Sequence, residues 1–339
     1  MRVKAIDIAR ELDVSKATVS LALNNKPGVN EKTKKMILEC KARLESRDVN
    51  DKIFPKKDSG YVIRIIVATR GLGIIQNAEL DLWTDVNAVF DTIAKEWGCT
   101  LEVSYFNMLK DSKEKMVNDC NQDYVAGVML FGTEMYPSDA EMFRKIHKPK
   151  VVYDCDLMDD AYPCVVVNNE DGVRRAVDYL VEHQKKNIVY LARNRKIYNY
   201  EHRRIGFVNA MREYNLLLDE KTQLLTMGET IEEIYQNMKK YIELNKLPDA
   251  FIFESYHLSI GAIRAFRSEN VKVPEDISVI GIDELPDYLT GEYQLTTIRI
   301  PHTERAKLAM QLLYHEMHDS CSTKSKLFTN CKLIEGDTV

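Results

Sequence analysis

The chain has 339 residues, more than one hydrophobic core comfortably organises, so a small head on a larger two-lobed body is the expected plan. No run of about eighteen apolar residues occurs, which argues against a membrane-spanning helix. The seven cysteines (Cys40, Cys99, Cys120, Cys155, Cys164, Cys321 and Cys331) are odd in number and never spaced Cys-x-x-Cys, which fits free thiols in a reducing cytoplasm rather than disulfides or a zinc site. The net charge of −5 hides an asymmetry: residues 1–60 hold 14 Lys and Arg against 9 Asp and Glu, the rest 33 against 43, so a polyanion would meet one end only.

Met1–Lys4 runs into the first helix without an apolar leader, so a cytoplasmic protein is expected. Ala5, Ile8, Ala9 and Leu12 recur at i, i+3, i+4 and i+7 and mark one apolar face. Asp13-Val14 breaks that helix, and Ser15 can cap the next through its hydroxyl. Residues 15–24, Ser-Lys-Ala-Thr-Val-Ser-Leu-Ala-Leu-Asn, then read as a helix with one polar edge. Two helices joined by so short a turn make a helix-turn-helix, whose second helix can enter the major groove of DNA. Asn25-Lys26-Pro27-Gly28 is a turn by composition, and Asn30 is placed to cap a third helix with Met36, Ile37, Cys40 and Leu44 as its apolar stripe.

Residues 47–60 are charged and turn-prone and carry no periodicity, as a linker should. From Tyr61 onward, short apolar runs alternate with longer amphipathic segments. The strand candidates are 62–68, 101–105, 125–131, 151–153, 165–167, 188–191, 250–253, 277–282 and 295–300; the helix candidates are 79–97, 169–183, 201–214, 231–244 and 258–269. Continuous apolar strands alternating with helices predict parallel sheets covered on both faces. There is no Walker loop, Gly-x-Ser-x-Gly, His-Glu-x-x-His or Cys/His zinc spacing, so no catalytic residue, metal or cofactor is expected.

Several stretches resemble the LacI/GalR family of bacterial transcription regulators. In the head they are Ile6-Asp7-Ile8-Ala9, Val14-Ser15, Ala17-Thr18-Val19-Ser20, Ala22-Leu23-Asn24 and Val29-Asn30-x-x-Thr33. In the body they are Val166-Val167-Asn168-Asn169-x-x-Gly172, Arg203-x-x-Gly206-Phe207, Val273-Pro274 followed by Asp276–Asp283, and Leu295-Thr296-Thr297-Ile298-Arg299-x-Pro301. The resemblance implies an all-α helix-turn-helix head followed by an α/β body of two Rossmann-like lobes, the periplasmic-binding-protein architecture. It places Lys16 and Ala17 where the family reads base edges, and Thr18, Ser20, Asn24, Asn30 and Thr33 where it contacts phosphates or the groove wall. Leu21 stands where the family usually has arginine, so the operator should differ there, unless Leu21 joins the head's core. In the linker the family's lead-in is absent and Pro55 opposes a helix; Ile53 and Phe54 are the candidates to wedge into the minor groove, against a plain tether with Lys52, Lys56 and Lys57 on phosphates.

Ligands of parallel α/β lobes bind at the carboxyl ends of strands. Matching the family there gives Trp83, Asp154, Arg203, Ser255 and Asp283 as the effector site, a ring, two carboxylates and a guanidinium that suit a sugar. Ser255-Tyr256 replaces the family's usual Asn-Asp, and a strand-end ion pair without a ligand is the lesser alternative for Arg203 or Asp283. The expected domains are 1–46 (head), 47–60 (linker) and 61–339 (body), with lobe one near 61–161 plus 293–324 and lobe two near 162–292 plus 325–339. The residues at 327–339 should continue the last strand, too short and without the leucine heptads for a tetramer-forming tail. Together these features predict a homodimeric repressor of a pseudo-palindromic operator, its affinity set by a small metabolite. A regulator without a small-molecule effector, or one governed by a protein co-regulator, is the alternative.

Overall fold

The computed structural model describes residues 5–12, 14–24, 26, 28–30, 32–41, 60–72, 82–216, 219–291, 293–318 and 323–339. The chain divides into two compact units, Met1–Val62 with Thr92–Leu101, and Ile63–Asp91 with Glu102–Val339.

The head holds α1 (Ala5–Glu11), α2 (Lys16–Leu23) and α3 (32–41). Ile8, Ala9, Val19, Ala22, Ile37 and Cys40 form its core, with Ala5, Leu12, Val14, Leu23 and Val29 around them. Both expected caps are present. Ser15 Oγ accepts from the Thr18 amide at 3.0 Å, and Asn30 Oδ1 from the Thr33 amide at 2.7 Å, each satisfying a donor that the first helical turn leaves unpaired. The stripe on α3 differs from expectation at Met36, which is 46% exposed; the buried positions are Ile37 and Cys40, one turn apart. Gly28 takes φ +117°, a conformation open to glycine and strained for other residues. Asp13, Leu44 and the whole of 47–59, with Ile53 and Phe54, lie outside the described residues.

The body follows as β1 (Val62–Thr69), α4 (Leu82–Glu96), β2 (Thr100–Asn107), α5 (Lys113–Cys120), β3 (Val125–Phe131), α6 (Ala140–Phe143), β4 (Lys150–Tyr153) and β5 (Cys164–Val167). Next come α7 (Asn169–Glu182), β6 (Ile188–Ala192), α8 (Tyr198–Glu213), α9 (Glu220–Gln223), β7 (Leu224–Thr226), α10 (Ile231–Leu244), β8 (Ala250–Phe253), α11 (Tyr256–Ser268) and β9 (Ser278–Ile282). Then α12 (Asp287–Thr290), β10 (Thr297–Arg299), α13 (His302–His318), β11 (Lys326–Thr329) and β12 (Lys332–Ile334) complete it.

The strands form two sheets with the same spatial plan, β11-β5-β4-β3-β1-β2 and β12-β10-β9-β8-β6-β7. Side chains alternate across the second sheet as the pleat requires. Ile188, Tyr190 and Ala192 face the cluster that includes α7 and α8 residues, whereas Val189 and Leu191 face the one that includes α10 and α11 residues.

The lobe limits read from the sequence need correction. Strand β5 pairs with β4 (Val152↔Cys164) and β11 (Phe328↔Val166), so it belongs to the first sheet, while β10 pairs with β9 (Thr297↔Gly281) in the second. The crossings therefore fall after Val167, after Ile300 and between Thr329 and Lys332. An apolar run such as Cys-Val-Val-Val specifies a buried strand but not which sheet receives it. The C-terminal residues likewise do not continue one strand: β11 runs parallel to β5 in one sheet and β12 antiparallel to β10 in the other. Helices α5, α6, α9, α12 and α13 and strand β7 are additions to the expected elements. Cys40, Cys99, Cys120, Cys155, Cys164 and Cys331 are buried.

Packing between α7 and α8 depends on Gly206, since a Cβ there would stand 2.6 Å from Glu170 Cα and 2.7 Å from its carbonyl oxygen. Gly206→Ala should cost roughly 1–3 kcal/mol by forcing the helices apart. Equilibrium urea unfolding of the variant measures this, and an unchanged midpoint would mean that the contact relaxes freely.

Candidate DNA-reading surface and inter-lobe cleft

At about 100° per residue, Lys16, Ser20, Asn24, Ala17 and Leu21 fall within about 140° of one another on α2, opposite buried Val19 and Ala22. Lys16, Ala17, Ser20 and Asn24 are exposed, and Thr18 and Leu21 half-buried. Thr18 Oγ1 lies 2.8 Å from Ser15 Oγ, and the Asn24 side-chain amide donates to the Ser20 carbonyl at 2.8 Å. Asn30 and Thr33 meet at the start of α3 through the cap. Leu21 lies outside the head's core cluster, with its Cδ1 3.5 Å from where a Cβ on Gly28 would stand. Its branched hydrocarbon carries no hydrogen-bond donor.

In the body, the two aspartates expected at strand ends occupy matching places in the two sheets. Asp154 follows β4 with φ 72° and Asp283 follows β9 with φ 73°, a left-handed turn that Asp tolerates better than most side chains. Each donates its amide to the neighbouring strand, Asp154 to Val165 O at 2.9 Å and Asp283 to Ile298 O at 3.1 Å. This turn carries each carboxyl off the end of its sheet.

Around them runs a network of buried polar groups. Asp154 accepts from Thr133 Oγ1 at 2.6 Å and forms an ion pair with Arg305 Nη1. Arg305 is 3% exposed; its Nε donates to Tyr153 OH at 3.0 Å, and its Nη2 lies 3.4 Å from His302 Nδ1. Because a guanidinium only donates, His302 Nδ1 accepts, leaving the ring proton on Nε2, 3.1 Å from Asp283 Oδ1. A second chain runs from Arg203 Nε to Asn169 Oδ1 at 2.9 Å, from Asn169 Nδ2 to Asn199 Oδ1 at 2.7 Å, and from Asn199 Nδ2 to Asp154 O at 3.4 Å. Arg203 Nη1 also donates to the Glu254 carbonyl at 2.6 Å.

These groups border a cavity of about 130 Å³ that Asp154, Arg203, Ser255 and Asp283 all line, so four of the five expected effector residues come together. Ser255, the N-cap residue of α11, is 2% exposed, and its hydroxyl makes no hydrogen bond among the described residues. The fifth, Trp83, is in the first turn of α4, with its side chain outside the described residues. Sequence reasoning missed Thr133, Asn199, His302 and Arg305. The last two were findable: on α13 Arg305 shares a stripe with Ala309 and Leu312 at i+4 and i+7, a charge on an otherwise apolar face. Burial alone would push the Asp283 carboxyl up, but the hydrogen bond from His302 and the charges of Arg203 and Arg305 hold it below the usual carboxylate range. Burial raises the Glu254 carboxyl in spite of Arg204. His257 is driven down to about 3 by burial and by the cations Arg193 and Arg195.

A head that presents a polar helix edge and a body whose two lobes enclose a polar cavity define a ligand-responsive, DNA-binding regulator. Residues 6–45 match the family described as bacterial regulatory proteins, lacI family, and residues 177–339 match the periplasmic binding protein-like domain. The chain is 26% identical, over 98% of its length and 97% of the relative's, to the protein named Probable HTH-type transcriptional repressor ExuR of Bacillus subtilis (strain 168). Among solved structures it resembles the lac repressor dimer bound to operator and the anti-inducer ONPF (TM-score 0.69, 19% identity, 100% of this chain and 99% of that one). It also resembles a complex of the transcriptional regulator CelR with cellobiose (TM-score 0.70, 17% identity, 100% of both chains). Head and body together are thus similar to the LacI family of bacterial transcription regulators.

The folded protein should lose stability on acidification through His257. Its ordinary value is 6.5 and its folded value about 3, so below 6.5 the unfolded chain takes up a proton that the folded one refuses. The stabilisation is complete above 6.5 and falls by about 1.4 kcal/mol per pH unit as the pH drops towards the folded value. Urea unfolding at pH 7 and pH 5 should differ by about 2 kcal/mol from this residue, and His257→Gln should remove that part of the slope. An identical slope in the variant would show that His257 is not its source.

Proposed function

We propose that the chain is a homodimeric repressor that grips a pseudo-palindromic operator through paired α2 helices and is controlled by one small sugar-class metabolite in the inter-lobe cavity. The observation that carries the reading is the cavity itself. At about 130 Å³ it is near the size of a cavity that holds a single six-membered ring. Its walls mix donors and acceptors from both lobes with the apolar Val167, Ile197 and Ile300. A sugar ring needs that combination, with hydrogen bonds around its edge and apolar contact on its faces. The relatives support it too, through the repressor name of the Bacillus protein and the cellobiose complex of CelR.

On this reading Lys16 and Ala17 read bases, and Thr18, Ser20, Asn24, Asn30 and Thr33 fix register on the backbone. Leu21 replaces a guanine contact with an apolar one. The parts are a head at 1–46, a linker at 47–60 and a body at 61–339, working in the cytoplasm where the DNA is. The cleft binds and does not transform its ligand, and a catalytic role would show as ligand turnover. A cleft without an effector is the competing reading, since Arg305 already engages Asp154 and His302 already faces Asp283. The unpartnered Ser255 hydroxyl weighs against it.

Selection of the purified protein on a random duplex pool at physiological salt should enrich a two-fold symmetric site with half-sites about 34–36 Å apart or a multiple of that. Enrichment without symmetry would defeat the dimer. With that operator, Lys16→Ala should relax discrimination at one position by about 1–3 kcal/mol; an even loss over all sequences would make Lys16 a phosphate contact. Asp283→Ala and Arg203→Ala should abolish the response to effector and keep DNA binding. Unfolding of both would return these residues to a structural role.

A further inference from the structure

Of the buried arginines in the described residues, three face a carboxylate at ion-pair distance: Arg64 with Glu102, Arg305 with Asp154, and Arg193 with Glu229 at 3.6 Å. Arg203, 5% exposed, does not. Its hydrogen bonds go to two neutral oxygens, Asn169 Oδ1 and the Glu254 carbonyl. The Glu254 carboxylate is taken by Arg204 and by the Arg193 amide, and Asp283 acts on Arg203 only through space while its own oxygen faces His302. A buried guanidinium is costly to leave without an anion.

Beside it stands the Ser255 hydroxyl, buried without a partner among the described residues and one residue beyond the carbonyl that Arg203 holds. Both groups line the cavity. So do residues of the first turns of three long helices, Asn199 and Tyr200 of α8, Tyr256 of α11 and His302 of α13. Each such terminus brings about half a positive charge. Two arginines and three helix ends outweigh the two aspartates, so the field in the cavity favours an anion.

We propose that the effector is a small hydroxylated carboxylate, a sugar acid rather than a neutral sugar, with its carboxylate held by Arg203 and the Ser255 hydroxyl. This rests on the sugar-class reading above and adds its charge. One unpaired guanidinium matches a single negative charge, whereas a phosphate ester brings about 1.5 to 2 at neutral pH. Asp154, Asn199 and Asp283 remain at the walls for the ligand's hydroxyls.

Calorimetric titration of the full-length protein with matched sets tests it: glucose, galactose and mannose, each with its uronate, its aldonate and its 6-phosphate. An acid should bind, and its parent hexose about 10- to 100-fold more weakly, the worth of one charge-assisted hydrogen bond. Arg203→Gln should erase that preference, and Ser255→Ala, which removes only a hydroxyl, should reduce it should the arginine variant fail to fold. A hexose binding as tightly as its acid would overturn the charge and leave the sugar reading standing. A 6-phosphate binding tightest would overturn the carboxylate. No binding by any member would overturn both readings.

Discussion

The ion pair between Arg305 and Asp154 is the constraint on which the cleft depends. Both side chains are more than nine-tenths buried, and a charge so far from water is tolerable only when matched and hydrogen-bonded. Arg305 reaches Asp154 and Tyr153 on one side and His302 on the other, and His302 in turn faces Asp283 at the end of the second sheet. The carboxyl ends of the two sheets are thus linked by a continuous path of polar contacts. Any ligand entering must leave those charges as well satisfied as it found them, and it can shift the lobes only as far as its affinity differs between their arrangements.

The two lobes repeat one device. In each sheet the strand two places in from the edge that carries the C-terminal strand ends in an aspartate in left-handed conformation, tied by its amide to the next strand and free to present its carboxyl outward. The partners differ, Arg305 and Thr133 for one, His302 for the other. A symmetric framework therefore carries an asymmetric lining, as recognition of a ligand without two-fold symmetry requires.

Much of this was legible in the residues themselves. Caps at Ser15 and Asn30 were readable because a side-chain oxygen placed before a helix has a defined partner three residues on. Buried strands were readable as short apolar runs, and three of the residues that line the cavity, Asp154, Asp283 and Ser255, were readable as strand-end or helix-start polar groups. Sheet membership was not, because pairing is settled by neighbours distant in sequence; hence the misplacement of β5 and β10. Arg305 and His302 were missed with α13, whose apolar stripe these polar side chains interrupt. Met36 was misplaced by one position on α3, an error of about 100° that turns a core residue outward.

The threefold crossing between sheets also bears on how the protein is made. The first sheet takes its last strand from residues 326–329, some 160 positions after its neighbour β5. At ribosomal speeds of roughly 5–20 residues per second, the gap lasts about ten to thirty seconds. During that interval β5 is an unpaired edge of apolar residues, open to the wrong partner. The short helical head, by contrast, depends on local contacts and leaves the ribosome before either lobe. A nascent chain can therefore carry a folded DNA-reading head before its lobes can sense anything, so control of the gene by ligand begins only once β11 has been made.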